Sequence, residues 1–194
     1  MLAHGRPPTN RSPGDETVTP AAQAMLESFK GPAYLATACL DVIAWNSALA
    51  AVFGDLTPLP EGARNMLWLM FASPEHRAAI PDWDEAARAM VARFRREFDR
   101  NRDDGRFLAL VENLRATSAE FRAWWGAQDV SLRPEGPKRF SVAGVGEIVL
   151  DQHTFLWEPS PGVRLVVYSP ANDDSAGRVQ VLCDRWQRRK TGTA

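Results

Sequence analysis

The chain has 194 residues, of which 45% are hydrophobic and 24% are charged, and its formal net charge is −1. This balance is typical of one globular domain with a substantial core, and the near-zero charge excludes a global field that draws the protein onto nucleic acid or an anionic membrane. No apolar run approaches the roughly 20 residues of a membrane span, and the two cysteines lie far apart, so we expect a single soluble, cytoplasmic domain with reduced thiols.

The N-terminal residues predict a linker followed by a short helix. Residues 1–19 are rich in Pro, Gly, Ser and Thr and nearly free of large apolar side chains, so they should form a flexible linker. A helix should begin at Thr19 or Pro20 and end before Gly31. The folded domain is therefore expected over residues 20–190.

A β-hairpin and a capped helix are predicted next. Residues 33–38 and 41–45 alternate or run apolar around a short polar turn, which is typical of two paired strands. Asn46 or Ser47 can cap the following helix, which should end at Gly54.

The middle of the chain predicts a helical insert. Residues 65–72 are almost wholly apolar and indicate a buried helix, and the longest helix should run from Asp82 to Asn101. Asp103 or Asp104 can cap the next helix, and Thr117, with a glutamate three residues later, fits the capping box of a further one. Most of the rings fall on these helices, in a chain that holds seven tryptophans and nine phenylalanines.

The last third of the chain changes character. A Pro- and Gly-rich loop at 134–137 leads into three strand-like runs at 145–151, 153–158 and 163–169, and a final amphipathic helix carries Val179. Hairpin, helical insert, three-stranded meander and terminal helix together favour an α+β fold. We expect a PAS-like five-stranded antiparallel sheet with the insert packed on one face and flanking terminal helices.

Several short motifs occur in a specific order along this layout. They are Leu40-Asp41-Val42-Ile43-Ala44-Trp45, Arg64-Asn65-Met66-Leu67-Trp68, Ser118-Ala119-Glu120-Phe121, Asp129-Val130, Val145-Gly146-Glu147 and Leu165-Val166-Val167-Tyr168-Ser169. Together they resemble the ligand-binding domain of MmyB-like bacterial transcription regulators over roughly residues 20–182. The chain departs from the family pattern at Gln128 and at Val142-Ala143, where the family often has histidine and His-Pro.

The resemblance implies a sensor domain for a small apolar molecule such as a fatty acid. In that family the domain normally follows an XRE-type helix-turn-helix, which this chain lacks, so we expect only the sensor half of a regulator. DNA would be contacted only through that absent domain, and a homodimer is compatible with such a regulator. No cofactor, metal or membrane partner is expected.

Ten residues are expected to contact the ligand. For each aromatic ring the alternative is simple core packing, and for Asn65 it is the role of a helix cap, which the position before an apolar helix favours. Arg139 could pair with a ligand carboxylate or lie exposed. The expected set is Trp45, Asn65, Phe71, Trp83, Met90, Phe94, Trp124, Trp125, Arg139 and Tyr168.

The arginines between Arg93 and Arg102 could suggest a nucleic-acid patch. Glu97 and Asp99 are interleaved with them, however, and the spacing predicts the ion pairs Arg93–Glu97 and Arg95–Asp99 on a solvated helix face.

No pattern of catalytic residues accompanies the rings. The three histidines, His4, His76 and His153, fall in no HExxH or Ser/His/Asp arrangement, so we expect no enzyme activity and no catalytic residue. Two alternatives stay open: a dimerisation or partner-docking module with a fully packed core, and a hydrolase or isomerase acting on an apolar substrate.

Overall fold

A computed structural model describes residues 18–127 and 136–192 of the chain. Within these ranges the helices are α1 (Pro20–Glu27), α2 (Ser47–Phe53), α3 (Met66–Ala72), α4 (Pro74–Ala78), α5 (Trp83–Arg100), α6 (Gly105–Thr117), α7 (Ala119–Gly126) and α8 (Asp173–Thr191). The strands are β1 (Ala33–Thr37), β2 (Val42–Trp45), β3 (Lys138–Val142), β4 (Gly146–Leu156) and β5 (Val163–Pro170).

The five strands form one antiparallel sheet in the order β2-β1-β5-β4-β3. Strands β1 and β2 form the predicted hairpin, and β5, the last strand in sequence, lies at the centre between β1 and β4. The predicted α+β, PAS-like fold is confirmed.

Contacts along the chain divide it into two units, and the first of them, the sheet unit, comprises 18–37, 42–58 and 136–192. Helix α1 buries Leu26 against a sheet face that includes Ala33 and Val163. The opposite face carries Tyr168, and Phe53 of α2 contacts its ring at 5.4 Å. Helix α8 packs on β4, β5 and α2, so this sheet has helices on both faces.

The second unit, the helical unit, comprises 38–41 and 59–127 among the described residues. It contains helices α3 to α7, and its core is built from the apolar faces that the sequence periodicity predicts. Burial of these side chains supplies the main stabilising free energy, at roughly 1.5–3 kcal/mol for each large apolar group. The most deeply buried members are Leu67, Phe94, Phe107, Leu110, Leu114 and Phe121.

Side-chain caps begin most of the helices, and two of the predicted caps are confirmed. The Oδ1 atom of Asn46 accepts from the Leu49 amide at 2.9 Å, and Asp104 caps α6 through the Arg106 amide at 2.9 Å. The capping box at Thr117 is wrong. That hydroxyl donates to Asn113 O inside α6, and Ser118 caps α7 instead, because its Oγ accepts from the Phe121 amide at 3.1 Å.

The division of the C-terminal meander into strands also differs from the prediction. The runs at 145–151 and 153–158 are parts of the single strand β4, because no turn interrupts the pairing with β5. The fifth strand is β3, which the sequence reasoning did not separate from the preceding loop. Gly144 and Gly146 have φ of 79° and 84°, and they make the tight turn between β3 and β4.

Some predictions fall on residues that the structure does not describe. The predicted linker lies outside the described residues up to position 17. So do Gln128, the Asp129-Val130 motif, and positions 134 and 135 of the predicted loop.

Candidate functional site

Among the described residues of the helical unit, eight aromatic rings form one contact network, and six of them make up a set that includes Phe71 and leaves out Phe98 and Phe107. Phe71 lies at its centre, with ring centroids 5.5 Å from Trp83, 5.1 Å from Phe121 and 5.9 Å from Trp124. We name the set the aromatic cluster: Phe71 from α3, Trp83 and Phe94 from α5, and Phe121, Trp124 and Trp125 from α7. Five of these rings belong to the predicted ligand-contacting set.

The members of the aromatic cluster differ in depth. Phe94 and Phe121 are fully buried, and Trp125 stacks on Phe121 with an interplanar angle of 12°. Trp124 and Trp125 are half-buried, as is Phe71, so part of each ring reaches the surface of the unit. Met90, another predicted contact, packs against the same core. The cluster is therefore a core whose outer layer stays accessible.

Guanidinium groups cover the three tryptophans of the cluster. The Cζ atom of Arg77 lies 3.7 Å from the ring centroid of Trp83, that of Arg88 lies 4.2 Å from Trp124, and that of Arg95 lies 4.8 Å from Trp125. Cation–π contacts of this kind contribute about 0.5–1 kcal/mol each at exposed positions. Sequence reasoning missed these arginines as site residues, because stacking on a ring leaves no spacing signal when the two groups lie on different helices.

Arg95 also corrects a predicted ion pair. Its guanidinium donates hydrogen bonds to the carbonyl groups of Trp124 and Trp125 at the end of α7. The expected partner Asp99 instead pairs with Arg102 at 2.6 Å. The last carbonyl groups of a helix accept hydrogen bonds from basic side chains and attract positive charge, and the end of α7 gives Arg95 such a partner.

An open groove of about 410 Å³ borders the aromatic cluster at Trp83. The indole of Trp83 is fixed there, because its Nε1 donates to Met70 O at 2.9 Å. Arg77 pairs with Glu120 at 2.7 Å, and this hydrogen bond lowers the pKa of the Glu120 carboxyl below its ordinary value. The groove is lined by Arg77, Pro81, Asp82, Trp83, Asp84 and Glu85.

Asn65 is a structural cap with its hydrogen-bonding capacity in use. Its Oδ1 accepts from the amides of Leu67 and Trp68 at 3.0 Å each. Its Nδ2 donates to Cys39 O at 2.7 Å and to Asp41 Oδ1 at 2.8 Å. Two acceptor positions and two donors are all that a primary amide offers. The cap function therefore accounts for this buried residue.

Three predicted contacts lie in the sheet unit. Tyr168 forms a separate ring group with Phe53 and Phe140, and its hydroxyl donates to Gln152 Oε1 at 3.3 Å. Arg139 lies 3.8 Å from Glu147 on the neighbouring strand. Trp45 ends β2, where its carbonyl accepts from Gln23 Nε2 at 2.9 Å. The structure thus brings together Phe71, Trp83, Met90, Phe94, Trp124 and Trp125 in one group.

Burial keeps two titratable groups of the helical unit in their neutral forms. Burial lowers the pKa of His76 to about 4, which keeps its imidazole neutral near pH 7. Burial, with Asp41 as a secondary cause, raises the pKa of Cys39 and keeps it a thiol. Within 18–127 and 136–192, no group of three or more His, Cys, Asp or Glu side chains could hold a metal ion. No helix of the described part is long and apolar enough to cross a bilayer.

Comparison with known proteins adds one match. Residues 18–182, most of the chain, match the family model described as MmyB-like transcription regulator ligand binding domain. A search of curated proteins returns no match.

Proposed function

The chain belongs to the family of MmyB-like transcription regulator ligand-binding domains, and from this premise we propose that it senses a small apolar molecule, such as a fatty acid, at the aromatic cluster. The observation that carries the proposal is the half-buried pair Trp124 and Trp125 together with the buried Trp83 at the open groove, with a guanidinium group over each of the three rings. The proposed contacts are Phe71, Trp83, Met90, Phe94, Trp124 and Trp125. The family description names a ligand-binding domain, and the half-buried rings of this cluster offer apolar surface.

The chemistry of the cluster supports an apolar ligand. Indole faces present large apolar areas, and the flexible thioether of Met90 can adapt to an alkyl chain. The groove of about 410 Å³ falls within the usual range for small-molecule sites. A methylene group leaving water for such a surface gains about 0.8 kcal/mol, so affinity should rise with alkyl chain length.

Arg77 is the proposed partner of a ligand carboxylate. It lines the groove, and its guanidinium is already held in place over Trp83 and beside Glu120, so a carboxylate in the groove would pair with a pre-positioned charge. The same groove is lined by three acidic side chains, which repel the carboxylate of a ligand: Asp82, Asp84 and Glu85. The preference for an acid over a neutral head group should therefore be modest.

Ligand binding would act on transcription by a shift of populations. A ligand that binds one conformation more tightly moves the equilibrium toward it, by no more than its difference in affinity. In the proposed regulator this shift biases an XRE-type DNA-binding domain joined to the N-terminus.

Thermal melts of the chain with saturated fatty acids and the matching alcohols test the proposal. Tight binding to the folded state raises the melting temperature, by an amount that grows with ligand concentration. We expect the increase to grow with chain length and to vanish in Trp83→Ala, while Leu108→Ala, at an exposed apolar position of α6, keeps it. If no acid or alcohol raises the melting temperature, the proposal fails.

A ligand-free docking module is a second candidate. The stacked pairs Phe121–Trp125 and Phe94–Phe107 favour it, because rings that contact each other fill their own space. Melting temperatures that are insensitive to every lipophilic compound, with an unchanged fold, would support this candidate.

A further inference from the structure

Among the described residues, the outer half of strand β4 has a neighbouring strand on one side only. The β3–β4 pairing ends where Lys138 lies opposite Leu150, whereas β4 continues to Leu156 and stays paired with β5 on its other side. Within the described ranges no strand pairs with the far side of residues 152–156. We call residues 152–156 the edge segment.

The main-chain groups of the edge segment have a defined direction. The Val149 carbonyl accepts from the Ala171 amide at 2.9 Å, and the Trp157 amide donates to Val163 O at 3.1 Å, so odd-numbered residues of β4 point toward β5. Successive residues of a strand alternate in direction. The amide and carbonyl groups of Gln152, Thr154 and Leu156 therefore point away from the sheet.

The side chains of the edge segment are unusual for an edge. Phe155 is 53% exposed and Leu156 is 75% exposed, on opposite faces of the same strand end. Natural sheet edges are commonly protected by lysine, proline or other charged groups. Residues 152–156 contain none of these, whereas the shorter edge strand β3 carries Lys138 and Arg139.

We propose that the edge segment pairs with the edge segment of a second copy of this chain, antiparallel about a two-fold axis at Thr154. Each Thr154 then faces its counterpart, and Gln152 lies opposite Leu156 of the partner subunit. All residues with outward-pointing main-chain groups come into hydrogen-bonded register, which makes about six hydrogen bonds between the copies. The two sheets join into one continuous sheet.

This register also suits the side chains. His153 lies opposite Phe155 of the partner subunit, and its ring is already oriented by a 2.9 Å hydrogen bond with Ser169 Oγ. The edge segment contains no Asp, Glu, Lys or Arg residue, so pairing two copies of it brings no like charges together. A second copy supplies the same uncharged and apolar edge that this copy leaves exposed, which is the self-complementarity that a two-fold interface requires.

A contact of one strand pair is small. The surface area that it buries lies below the roughly 1,200 Å² that stable interfaces bury. We therefore expect the dimer to dissociate into monomers at micromolar concentrations. The proposal concerns assembly alone and does not rest on the proposed ligand.

Analytical ultracentrifugation of the full chain between about 5 and about 500 µM, with hydrogen exchange at both ends of that range, tests the proposal. We expect a monomer–dimer equilibrium in which the amides of Gln152, Thr154 and Leu156 gain protection at the high concentration. The amides of His153 and Phe155, which face β5, should be protected at both concentrations.

Two variants should weaken this dimer by about tenfold or more. Thr154→Pro removes an amide group that points to the open edge, and it leaves every hydrogen bond between β4 and β5 in place. Leu156→Lys adds a positive charge to each side of the contact. Val181→Lys is the matched control, because Val181 is another exposed apolar residue of the sheet unit, 41% exposed on α8. It should dimerise like the wild type.

A monomer at every concentration would overturn the proposal. So would a dimer that gains protection elsewhere, or one that Leu156→Lys leaves as stable as the Val181→Lys control. The lysine variant keeps the test decisive if the proline variant does not fold.

Discussion

The guanidinium of Arg77 lies over the indole of Trp83, with its Cζ atom 3.7 Å from the ring centroid, while its Nη1 donates to Glu120 Oε1 at 2.7 Å. Three elements meet in this relationship, because Arg77 belongs to α4, Trp83 to α5 and Glu120 to α7. The contact holds a positive charge at the groove that borders the aromatic cluster. Several measurable consequences depend on it.

Removing the charge of Arg77 should weaken the binding of fatty acids while it leaves the binding of the matching alcohols nearly unchanged. In Arg77→Met the length of the apolar stem is largely kept, and the guanidinium over Trp83 is lost. We expect the dissociation constant for a fatty acid to rise by about tenfold, which corresponds to about 1.4 kcal/mol, and that for the matching alcohol to stay within about twofold. Fluorescence titration of the tryptophans measures both constants. Arg102→Met, at an exposed arginine of the same unit, is the control, and an equal loss for acid and alcohol would contradict the assigned role of Arg77.

Acidification should destabilise the fold through His76. Its pKa is lowered to about 4 in the folded chain, against an ordinary value of 6.5, so the unfolded chain binds more protons between these values. Stability therefore falls as the pH decreases from about 6.5 toward 4. Because the residue is half-buried, we expect a loss of about 1–2 kcal/mol, and His76→Gln should remove it. Urea unfolding at pH 7 and at pH 4.5 measures the difference, and an identical pH dependence in the variant would refute this assignment.

Loss of the Asn65 amide should destabilise the helical unit strongly. Asn65→Ala leaves the amides of Leu67 and Trp68 without their cap and the Cys39 carbonyl without its donor, all in a buried setting. We expect a decrease of about 2–4 kcal/mol in the free energy of unfolding. Ser73→Ala removes the cap of α4 near the surface and should cost only about 1 kcal/mol. Urea unfolding measures the free energy of unfolding of both variants. Equal decreases would show that the buried hydrogen bonds of Asn65 stabilise the fold no more than an ordinary helix cap does.

These caps show what a sequence can reveal about the fold. Asn46 and Asp104 precede apolar helical patterns, and local hydrogen bonding fixes their role, so both were predictable. The wrong choice of Thr117 over Ser118 is a shift of one residue, and it arose because both hydroxyl groups stand near Glu120. Which of them ends the preceding helix depends on packing that a local pattern does not contain.

A pair of glycines should respond in opposite directions to the same substitution. A Cβ atom on Gly31 would lie 2.1 Å from the carbonyl oxygen of Tyr168, which belongs to a central strand and cannot move away. Gly177, within α8, has no atom within 4 Å of its Cβ position. We expect Gly31→Ala to cost about 3 kcal/mol or more and Gly177→Ala to stabilise by about 0.5–1 kcal/mol. Thermal unfolding checks both, and a Gly31→Ala variant as stable as the wild type would contradict the described packing of the β5 backbone.

The aromatic cluster was predictable only in part. Helical spacing placed Trp83, Phe94 and Trp124 on apolar faces, and five of the six rings were named. The arginines over the tryptophans were not predicted. Each arginine and its tryptophan lie on different helices among α4, α5 and α7, and only folding brings the two side chains together. The division of the meander failed for a related reason. The polar residue Gln152 separates the two predicted runs, but cross-strand pairing with β5 carries β4 through it.

Crystals grown with a bromine-labelled fatty acid would show whether an apolar ligand binds at the aromatic cluster. We expect an anomalous bromine peak in contact with Trp83, Phe71 or Trp124, and loss of that peak in Trp83→Ala crystals of the same form. A bromine peak elsewhere in the chain, or none at a ligand concentration that saturates the thermal shift, would contradict the proposal.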